Sequence, residues 1–400
     1  PAPAEELLTR CYRYLLPFRN LRIPLHVMRG TARGSSGTAT VVLAGDTSSM
    51  DCLTTRLFTG GAEMKSLGKV AVWRLGSSLR RLRRSSDLTI ARLDRLSARL
   101  FLGDDYLSVP EWIGSTLEVP SRVEALTQGN PSLRSDLRLV RRNALSPAVS
   151  HDWDDFLHFY HTMYVPFIRN RHGERACIRN INWMRRAFRR GGLMWVLADG
   201  QPIGGLLFSK RGGALKSLAL GTSGGAWQHV AEGCNIATDL FLLDYARERG
   251  FTNIDLGGTR PFLDDGVLRY KRKWRCTFTE KQDTYEDFLI GWDALTGPTR
   301  ALLAGLPLIF RDADGLAALR VLSCRTSFCE SEYRKLVRAD WVPGLTRLYL
   351  AGASARGESG GRSSQTVVID DRHHDVLSPK FLRSLGERTS HTACARKGEP

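Results

Sequence analysis

Two side chains in the middle of the chain could accept a proton during a reaction. Asp255 lies in a short apolar segment, Asn253–Leu256, whose pattern predicts a strand. A carboxylate there could take a proton or orient an amine; alternatively, it is buried and paired with a nearby arginine. His172 follows Arg171 in a polar segment, where both could line a cleft for the acceptor and His172 could act as a general base. The alternative for His172 is a histidine on a surface loop.

A glycine-rich stretch separates a predicted strand from a predicted helix. A helix N-terminus preceded by glycines exposes backbone N–H groups, which bind phosphate groups. The stretch therefore offers a phosphate-binding loop for a donor molecule, although the same residues could form a long surface turn. The glycines that we expect to contact the donor are Gly221, Gly224, Gly225 and Gly233.

A basic string of residues lies after the second aspartate of the pair Asp264 and Asp265. This pair could bind a cationic acceptor, or it could form a turn before the next helix. Lys271 stands within the basic string and is the single residue that we most expect to act in the reaction. The alternative for Lys271 is a solvated lysine among other basic residues.

Several common catalytic signatures are absent from the sequence. The chain has no Gly-x-Ser-x-Gly elbow of a serine hydrolase, no Gly-Lys-Ser/Thr of a P-loop and no Gly-x-Gly-x-x-Gly of a dinucleotide-binding fold. Its eight cysteines form no Cys-x-x-Cys pair and no zinc spacing with histidine. We therefore expect reduced thiols and no metal cofactor.

The segments around these residues predict an α/β domain. Apolar residues at helical spacing predict a helix that begins after Ser150 and a second helix from Glu174 to Arg190. They are followed by three antiparallel strands, a helix that ends at Gly250, and the strand that carries Asp255; the three strands are Leu193–Ala198, Ile203–Ser209 and Leu215–Leu220. Asp199-Gly200, between the first two strands, is the preferred pair for a two-residue hairpin turn. A strand–helix–strand unit of this length implies a right-handed parallel crossover, and ligands tend to bind beyond the carboxyl ends of such strands.

With this order of elements, the chain resembles the GNAT superfamily of acyltransferases. More narrowly, it is similar to the Fem-type aminoacyltransferases of peptidoglycan-bridge synthesis and to acetyltransferase domains of polysaccharide gene clusters. Two strings carry the resemblance, Ile254-Asp255-Leu256-Gly257-Gly258 and the segment from Asp265 to Trp274. The resemblance covers about 140 residues and implies a GNAT-like fold with mixed central sheets, in which two lobes follow one another.

The resemblance also implies roles for the residues of the basic string. Lys271 would face the phosphate or the carbonyl oxygen of the donor, while Asp265, Tyr270 and Trp274 would contact substrate. The chain departs from the family pattern at Arg275, where a glycine is usual, and lacks the compact Gln/Arg-x-x-Gly-x-Gly/Ala loop of enzymes that use acetyl-CoA. Both an acyl-CoA thioester and an aminoacyl-tRNA therefore remain open as the donor.

The expected function is transfer of an acetyl or aminoacyl group to an amine, which would belong to a saccharide or peptide precursor of the bacterial cell envelope. The alternative is a binding module that keeps the fold without the chemistry and holds RNA or another anionic polymer. The formal net charge of +17 over 400 residues favours anionic partners and does not choose among them. Without a visible signal peptide or membrane-spanning stretch, we expect a cytoplasmic protein; its oligomeric state is left open.

The sequence suggests four regions along the chain. Residues 1–150 are expected to form a degenerate first GNAT-like lobe, residues 151–300 the catalytic domain, residues 301–350 an extension and residues 351–400 a flexible tail rich in Gly, Ser and Arg near its start. In the first region, the run Arg80-Arg81-Leu82-Arg83-Arg84 is either a nucleic-acid patch or a solvated helix face. Because no aromatic residues are interleaved with these arginines, the helix face is the favoured interpretation.

Overall fold

The computed structural model describes residues 21–281, 284–355, 366–369 and 378–385. This part of the chain contains both helices and strands, and several strands follow one another directly. The strands are β1 (Arg22–Thr31), β2 (Thr38–Ala44), β3 (Glu63–Ala71), β4 (Leu88–Asp94), β5 (Leu107–Pro110), β6 (Ile113–Glu118), β7 (Ser146–Ser150), β8 (Gly191–Ala198), β9 (Gln201–Arg211), β10 (Ala214–Thr222), β11 (Asn253–Thr259), β12 (Thr277–Glu280), β13 (Glu286–Gly291), β14 (Leu308–Asp312), β15 (Gly315–Phe328), β16 (Leu345–Ala355) and β17 (Thr366–Ile369). The α-helices are Asp51–Leu57, Leu75–Arg83, Arg95–Phe101, Glu124–Thr127, Pro131–Arg142, Trp153–His158, Val165–His172, Ile181–Phe188, Trp227–Ala231, Cys234–Glu248, Gly266–Lys273, Gly297–Ala304 and Glu330–Asp340.

The chain divides into two compact units. The first unit contains the residues up to Ile113 together with residues 260–268 and those from Thr279 onward. The second unit contains residues 114–259 and 269–278. The predicted α/β fold class is confirmed, because each unit is built around a sheet that mixes parallel and antiparallel strands.

These units do not follow the domain boundaries expected from the sequence. Residues 114–150 belong to the second unit, because β6 lies inside its sheet. Residues 279–300 belong to the first unit, because β13 pairs with β4 and β5. Part of the expected flexible tail is ordered, since residues 351–355 complete β16 and β17 pairs with β16 in parallel. Residues 356–365, 370–377 and 386–400 of that tail lie outside the described residues.

The first unit contains a six-stranded sheet in the order β3-β1-β2-β4-β13-β5. Successive side chains of a strand point to opposite faces, and β2 shows this clearly. Val41 and Leu43 pack into one buried cluster, whereas Val42 and Ala44 pack into another. Strands β2 and β4 are parallel and their other neighbours are antiparallel, which is the mixed arrangement expected of a GNAT-like lobe. A separate four-stranded sheet has the order β14-β15-β16-β17.

The second unit contains a seven-stranded sheet in the order β12-β6-β11-β10-β9-β8-β7. Strands β7 to β10 are antiparallel neighbours, and the helix Cys234–Glu248 connects β10 to its parallel neighbour β11. The four strands predicted from the sequence correspond to β8, β9, β10 and β11. The predicted hairpin turn is confirmed, because Asp199 and Gly200 have φ of 49° and 76°, as a two-residue turn of this kind requires.

The helices that pack on this sheet differ in detail from the prediction. The first begins at Trp153, and its N-cap is Asp152, whose carboxylate accepts from the N–H groups of Asp154 and Asp155; Ser150 ends β7 instead. The second begins only at Ile181, where the side chain of Asn180 caps it. No helix among the described residues combines the length and the apolar character that crossing a bilayer takes.

Candidate active site

The sheet of the second unit opens between its two parallel strands. Only two residue pairs of β10 and β11 are in register, Leu215 with Ile254 and Lys216 with Asp255. Both strands continue beyond that point, β10 to Thr222 and β11 to Thr259. After that pair, the register of β10 against β9 shifts between Ser217 and Ala219, and β10 pairs with β9 alone up to Thr222. The hydrogen-bonded ladder between the two parallel strands therefore ends before their carboxyl ends. Ligands bind at such carboxyl ends in α/β sheets.

The end of β11 is fixed by a local network of hydrogen bonds. Gly257 has φ of 80°, a conformation that favours glycine, and its N–H donates to the Asp255 carboxylate at 2.7 Å. The Gly257 carbonyl accepts from the Ser115 hydroxyl at 2.7 Å. The left-handed conformation of Gly257 therefore occurs two residues after Asp255, the last residue of β11 that pairs with β10.

Lys271 belongs to this network. Its side chain is only 6% exposed, and its ammonium donates to the carbonyl oxygens of Gly257 and Gly258, at 2.9 Å each. The alternative of a solvated lysine is therefore wrong. An ammonium among carbonyl oxygens places a positive charge at the end of β11 and ties the two carbonyl groups there to the helix Gly266–Lys273.

Asp255 lies at the closed end of the opening, on the last paired residue of β11. Its carboxylate is 3.1 Å from the Lys216 ammonium on the neighbouring strand, and its side chain is 38% exposed. The partner is thus a lysine rather than an arginine, and the carboxylate is half-exposed rather than buried. A carboxylate with this exposure can meet a molecule from solvent, so the structure is compatible with the predicted role in handling an amine.

A second acidic group, which the sequence did not single out, lies near Lys271. The Tyr270 hydroxyl donates to the Asp239 carboxylate at 2.5 Å and to the Asn235 carbonyl at 3.3 Å. Burial raises the pKa of Asp239 to about 6, against the lowering effects of the Tyr270 hydrogen bond and of the charges on Lys271 and Lys273. Burial and the Asp239 carboxylate together raise the pKa of Tyr270 well above its ordinary value.

The remaining residues of the basic string have structural roles. Trp274 is 0% exposed, so its position does not fit the predicted contact with substrate. Asp265 accepts from the N–H groups of Val267 and Leu268 at 2.9 Å and so begins the helix that carries Lys271, which fits the alternative of a turn. It also belongs to the first unit, whereas Lys271 belongs to the second.

Arg275, where the sequence resemblance leads one to expect a glycine, has a backbone conformation that glycine adopts readily. Its φ is 59°, in the left-handed region that glycine adopts without strain. The guanidinium donates a hydrogen bond to the Gln128 carbonyl, which helps to hold the residue in that conformation.

Arg171 and His172 lie apart from this network, at the end of the helix Val165–His172. Both are exposed. Partial burial and, secondarily, the charge of Arg171 lower the pKa of His172. A role as general base for His172 stays a prediction.

The glycine-rich stretch is tightly packed at its start. A Cβ on Gly221 would lie 2.6 Å from the Tyr164 nitrogen, and a Cβ on Gly225 would lie 2.6 Å from the Pro166 carbonyl carbon. Gly224 and Gly225 have φ of 58° and 69°, and Gly233 has φ of 100° directly before the helix Cys234–Glu248. Close packing and turn formation thus account for these glycines without a ligand, and their contact with donor phosphates stays a prediction.

The first turn of that helix contains an unsatisfied polar atom. The side-chain oxygen of Asn235, its second residue, is buried and has no hydrogen-bond partner among the described residues. A buried acceptor without a donor costs free energy, so such atoms often serve a ligand or an ordered water. Asn235 therefore presents an acceptor at this helix N-terminus that the described residues leave unpaired.

Comparison with known proteins finds similar solved structures but no match by sequence. No protein-family model matches the chain, and no curated protein matches it. Among solved structures, FemX is similar with 14% identity and a TM-score of 0.36, over 69% of this chain and 90% of its own. L-PGS from Bacillus licheniformis is similar with 11% identity and a TM-score of 0.33, over 69% of this chain and 87% of its own.

A GCN5-related N-acetyltransferase from Sphaerobacter thermophilus is also similar, with 12% identity and a TM-score of 0.30, over 63% of this chain and 72% of its own. Similarity at this distance assigns no substrate or activity to the chain.

Proposed function

We propose that the second unit is an N-acyltransferase that holds its acyl donor in the opening between β10 and β11. The observation that carries the proposal is the parting of these parallel strands after Lys216 and Asp255, with the end of β11 fixed by the buried Lys271 ammonium. Acyl transfer needs little more than orientation, a donor for the developing oxyanion and an acceptor for one proton. A parted strand supplies backbone N–H groups for the first two of these needs.

The reaction forms one bond and breaks one. The neutral amine attacks the acyl carbonyl and a C–N bond forms, while the C–S bond of a thioester or the C–O bond of an aminoacyl ester breaks. The leaving sulfur or oxygen takes up one proton, and the amine loses one. In this scheme Asp255 attracts the cationic acceptor and receives its proton, because its carboxylate is half-exposed at the closed end of the opening.

Lys271 acts as a positioning residue in this scheme. Its two hydrogen bonds go to carbonyl oxygens of β11, and through them it keeps that strand away from β10. We propose this role instead of the predicted contact with a donor phosphate, because the Lys271 ammonium already donates to protein oxygens and the residue is only 6% exposed.

The donor is either an acyl-CoA thioester or an aminoacyl-tRNA, and both carry phosphate groups. The helix that begins at Cys234 would meet those phosphates with its first N–H groups. The unsatisfied oxygen of Asn235 fits such a donor, because ribose hydroxyls and amides present O–H or N–H groups. The amine acceptor, which we place on a saccharide or peptide precursor of the cell envelope, follows from the sequence resemblance alone.

Thermal melts of the full chain with candidate donors test this proposal. The donors are acetyl-CoA, longer acyl-CoAs, aminoacyl-tRNA and uncharged tRNA, each at low and moderate salt. A donor at about a hundred times its dissociation constant stabilises by roughly 2.7 kcal/mol, which is a shift of several degrees for a unit of this size. The donor that shifts the melt is then used in a turnover assay with a panel of amines.

Two matched variants show whether the shift comes from the proposed place. N235A removes the unsatisfied acceptor and should weaken donor binding by roughly fivefold, the effect of one lost hydrogen bond, without lowering the melting temperature of the free chain. N182A makes the same change at the second residue of the helix Ile181–Phe188, where Asn182 is exposed, and should leave donor binding unchanged. Equal donor binding by wild type and N235A, or no shift with any donor, contradicts the proposal.

A further inference from the structure

The arginine run of the first unit borders a cavity of about 540 Å³. The run ends the helix Leu75–Arg83, whose apolar face packs against the sheet, so that the other side chains of the run reach the cavity. Residues 292–293 and 378–380 complete the cavity wall. A volume of this size matches the sites that hold small molecules in proteins.

The positive charge that lines this cavity is much larger than the negative charge. Its cationic side chains are Arg80, Arg81, Arg83, Arg84 and Lys380, whereas its acidic side chains are Asp105 and Asp293. The wall of this cavity therefore carries a local excess of positive charge.

One arginine, Arg83, forms ion pairs with both acidic side chains of the cavity wall. Arg83 is 6% exposed, its Nε lies 3.1 Å from Asp293, and a terminal nitrogen lies 3.8 Å from Asp105. The same guanidinium stacks over the Tyr106 ring, 4.8 Å from its centroid. Both carboxylates are thus held by a cation that is itself fixed in the wall, and neither is needed to neutralise the other arginines.

The other guanidiniums of the run have no such partner. Arg80, Arg81 and Arg84 are exposed, and they form no ion pair or hydrogen bond within the described residues. Arg80 and Arg84 are four positions apart, so they lie on the same side of this helical segment. Like charges this close repel one another, and an anionic ligand between them removes that cost.

We propose that this cavity is a binding site for a small ligand that carries at least two phosphate groups. Guanidinium groups donate paired hydrogen bonds that match the spacing of phosphate oxygens, and the three without an acidic partner, those of Arg80, Arg81 and Arg84, border this cavity together with the Lys380 ammonium. The helix presents its C-terminal carbonyl end here, which disfavours an anion by the equivalent of about half a charge; the charges of these four side chains outweigh that effect. A concave site fits a small phosphate ester better than a polymer, which needs an extended basic groove.

The site is distinct from the proposed acyl transfer, because its lining residues all belong to the first unit. It also changes the interpretation of the arginine run. Its exposed residues do lie along a helix, as expected, and they also border an open, concave cavity.

Calorimetric titration of the full chain with inorganic pyrophosphate tests the inference. We expect saturable binding of one pyrophosphate to this site, weaker at about 0.2 M salt than at about 0.05 M because salt screens the arginines. The variant R80A/R84A should bind pyrophosphate at least about tenfold more weakly, since it removes two charged donors. Both residues are exposed, and alanine suits a helix, so the variant should melt at the wild-type temperature.

The control variant is R138A/R142A, which removes two exposed arginines with the same spacing from the helix Pro131–Arg142 of the second unit. It should bind pyrophosphate as the wild type does. Three results would overturn the inference: no binding by the wild type, equal losses in the two variants, or binding of a single-stranded RNA oligonucleotide without binding of pyrophosphate. Loss of pyrophosphate binding in R80A/R84A with donor binding intact would support the inference and keep it separate from the proposed acyl transfer.

Discussion

Replacement of Lys271 by methionine should separate a positioning role from a surface role. Methionine keeps the apolar stem, which is buried, and removes the ammonium that donates to the carbonyl oxygens of Gly257 and Gly258. A hydrogen bond from a charged group contributes about 1.5–3 kcal/mol. The Gly257 carbonyl keeps its second donor, Ser115, whereas Gly258 loses its lysine donor. We therefore expect a destabilisation of about 2–4 kcal/mol.

The same substitution at a lysine of the same sheet provides the control. Lys216 forms an ion pair with Asp255 in which the two side chains are 29% and 38% exposed. Exposed pairs contribute about 0–1 kcal/mol, so K216M should have a small effect on stability. In thermal melts, K271M should lower the transition of the second unit by roughly 5 °C or more and K216M by less than roughly 3 °C.

Hydrogen exchange adds a local measurement to the melts. If Lys271 holds the end of β11, the amides around Gly257 and Gly258 should exchange faster in K271M than in the wild type, whereas β8 should be unaffected. Equal melting temperatures for K271M and K216M, or unchanged exchange near Gly257, would refute the assignment of Lys271 as a positioning residue.

Two further predictions follow from the titration of buried groups. The pKa of Asp239 lies above the ordinary carboxyl value of 3.8, at about 6, so its stabilising contribution is complete below 3.8 and is lost as pH rises through 6. Because the D239N side chain cannot ionise, its stability relative to wild type should rise between about pH 4 and pH 6. Above about pH 6 the difference in unfolding free energy should stay constant, at most about 3 kcal/mol. If the melting temperatures of the two proteins change in parallel over this pH range, the pKa shift of Asp239 is contradicted. Burial raises the pKa of the Cys234 and Cys276 thiols to about 12, whereas Cys177 is exposed. Iodoacetamide at pH about 8 should therefore modify Cys177 in the native chain and spare the other two, and peptide mass spectrometry that finds all three modified alike would show that this part of the core opens freely.

Local patterns were sufficient to predict much of the second unit. Alternating apolar residues and the Asp199-Gly200 turn predicted β8 and β9, and the change to helical spacing predicted the helix before β11. The position of β6 in this sheet could not be predicted. It lies far earlier in the chain and pairs between β11 and β12, and hydrophobic periodicity within a segment does not indicate such long-range strand pairing. The same holds for β13, which joins the sheet of the first unit.

In the candidate active site, too, only residues that lie in a local sequence motif could be predicted. Asp255 and Lys271 could be selected because each lies in a recognisable string, and the structure brings both to the end of β11. The partner of Tyr270 could not be predicted, since Asp239 lies in an apolar helix face, where an isolated carboxylate gives no periodic signal. The burial of Trp274 likewise depends on neighbours from several elements rather than on its own string.

The helix predicted from Glu174 failed for a local reason. Residues 173–175 form a single 3-10 turn, and Gly173 has φ of 55°, which interrupts the helix that precedes it. Asn180 then caps a new helix, a signal that competed with the apolar spacing of the whole segment. Apolar periodicity alone did not reveal this interruption.

The most direct test of the central claim is hydrogen exchange of the wild-type chain with and without the donor that stabilises it. If the donor lies in the opening, the amides of residues 217–222 in β10 and of the first turn after Gly233 should exchange more slowly when the donor is bound. Strand β2 of the first unit, which is also parallel to its neighbour, serves as the internal control and should not change. Protection confined to other segments, or no protection in β10 at saturating donor, would contradict the account.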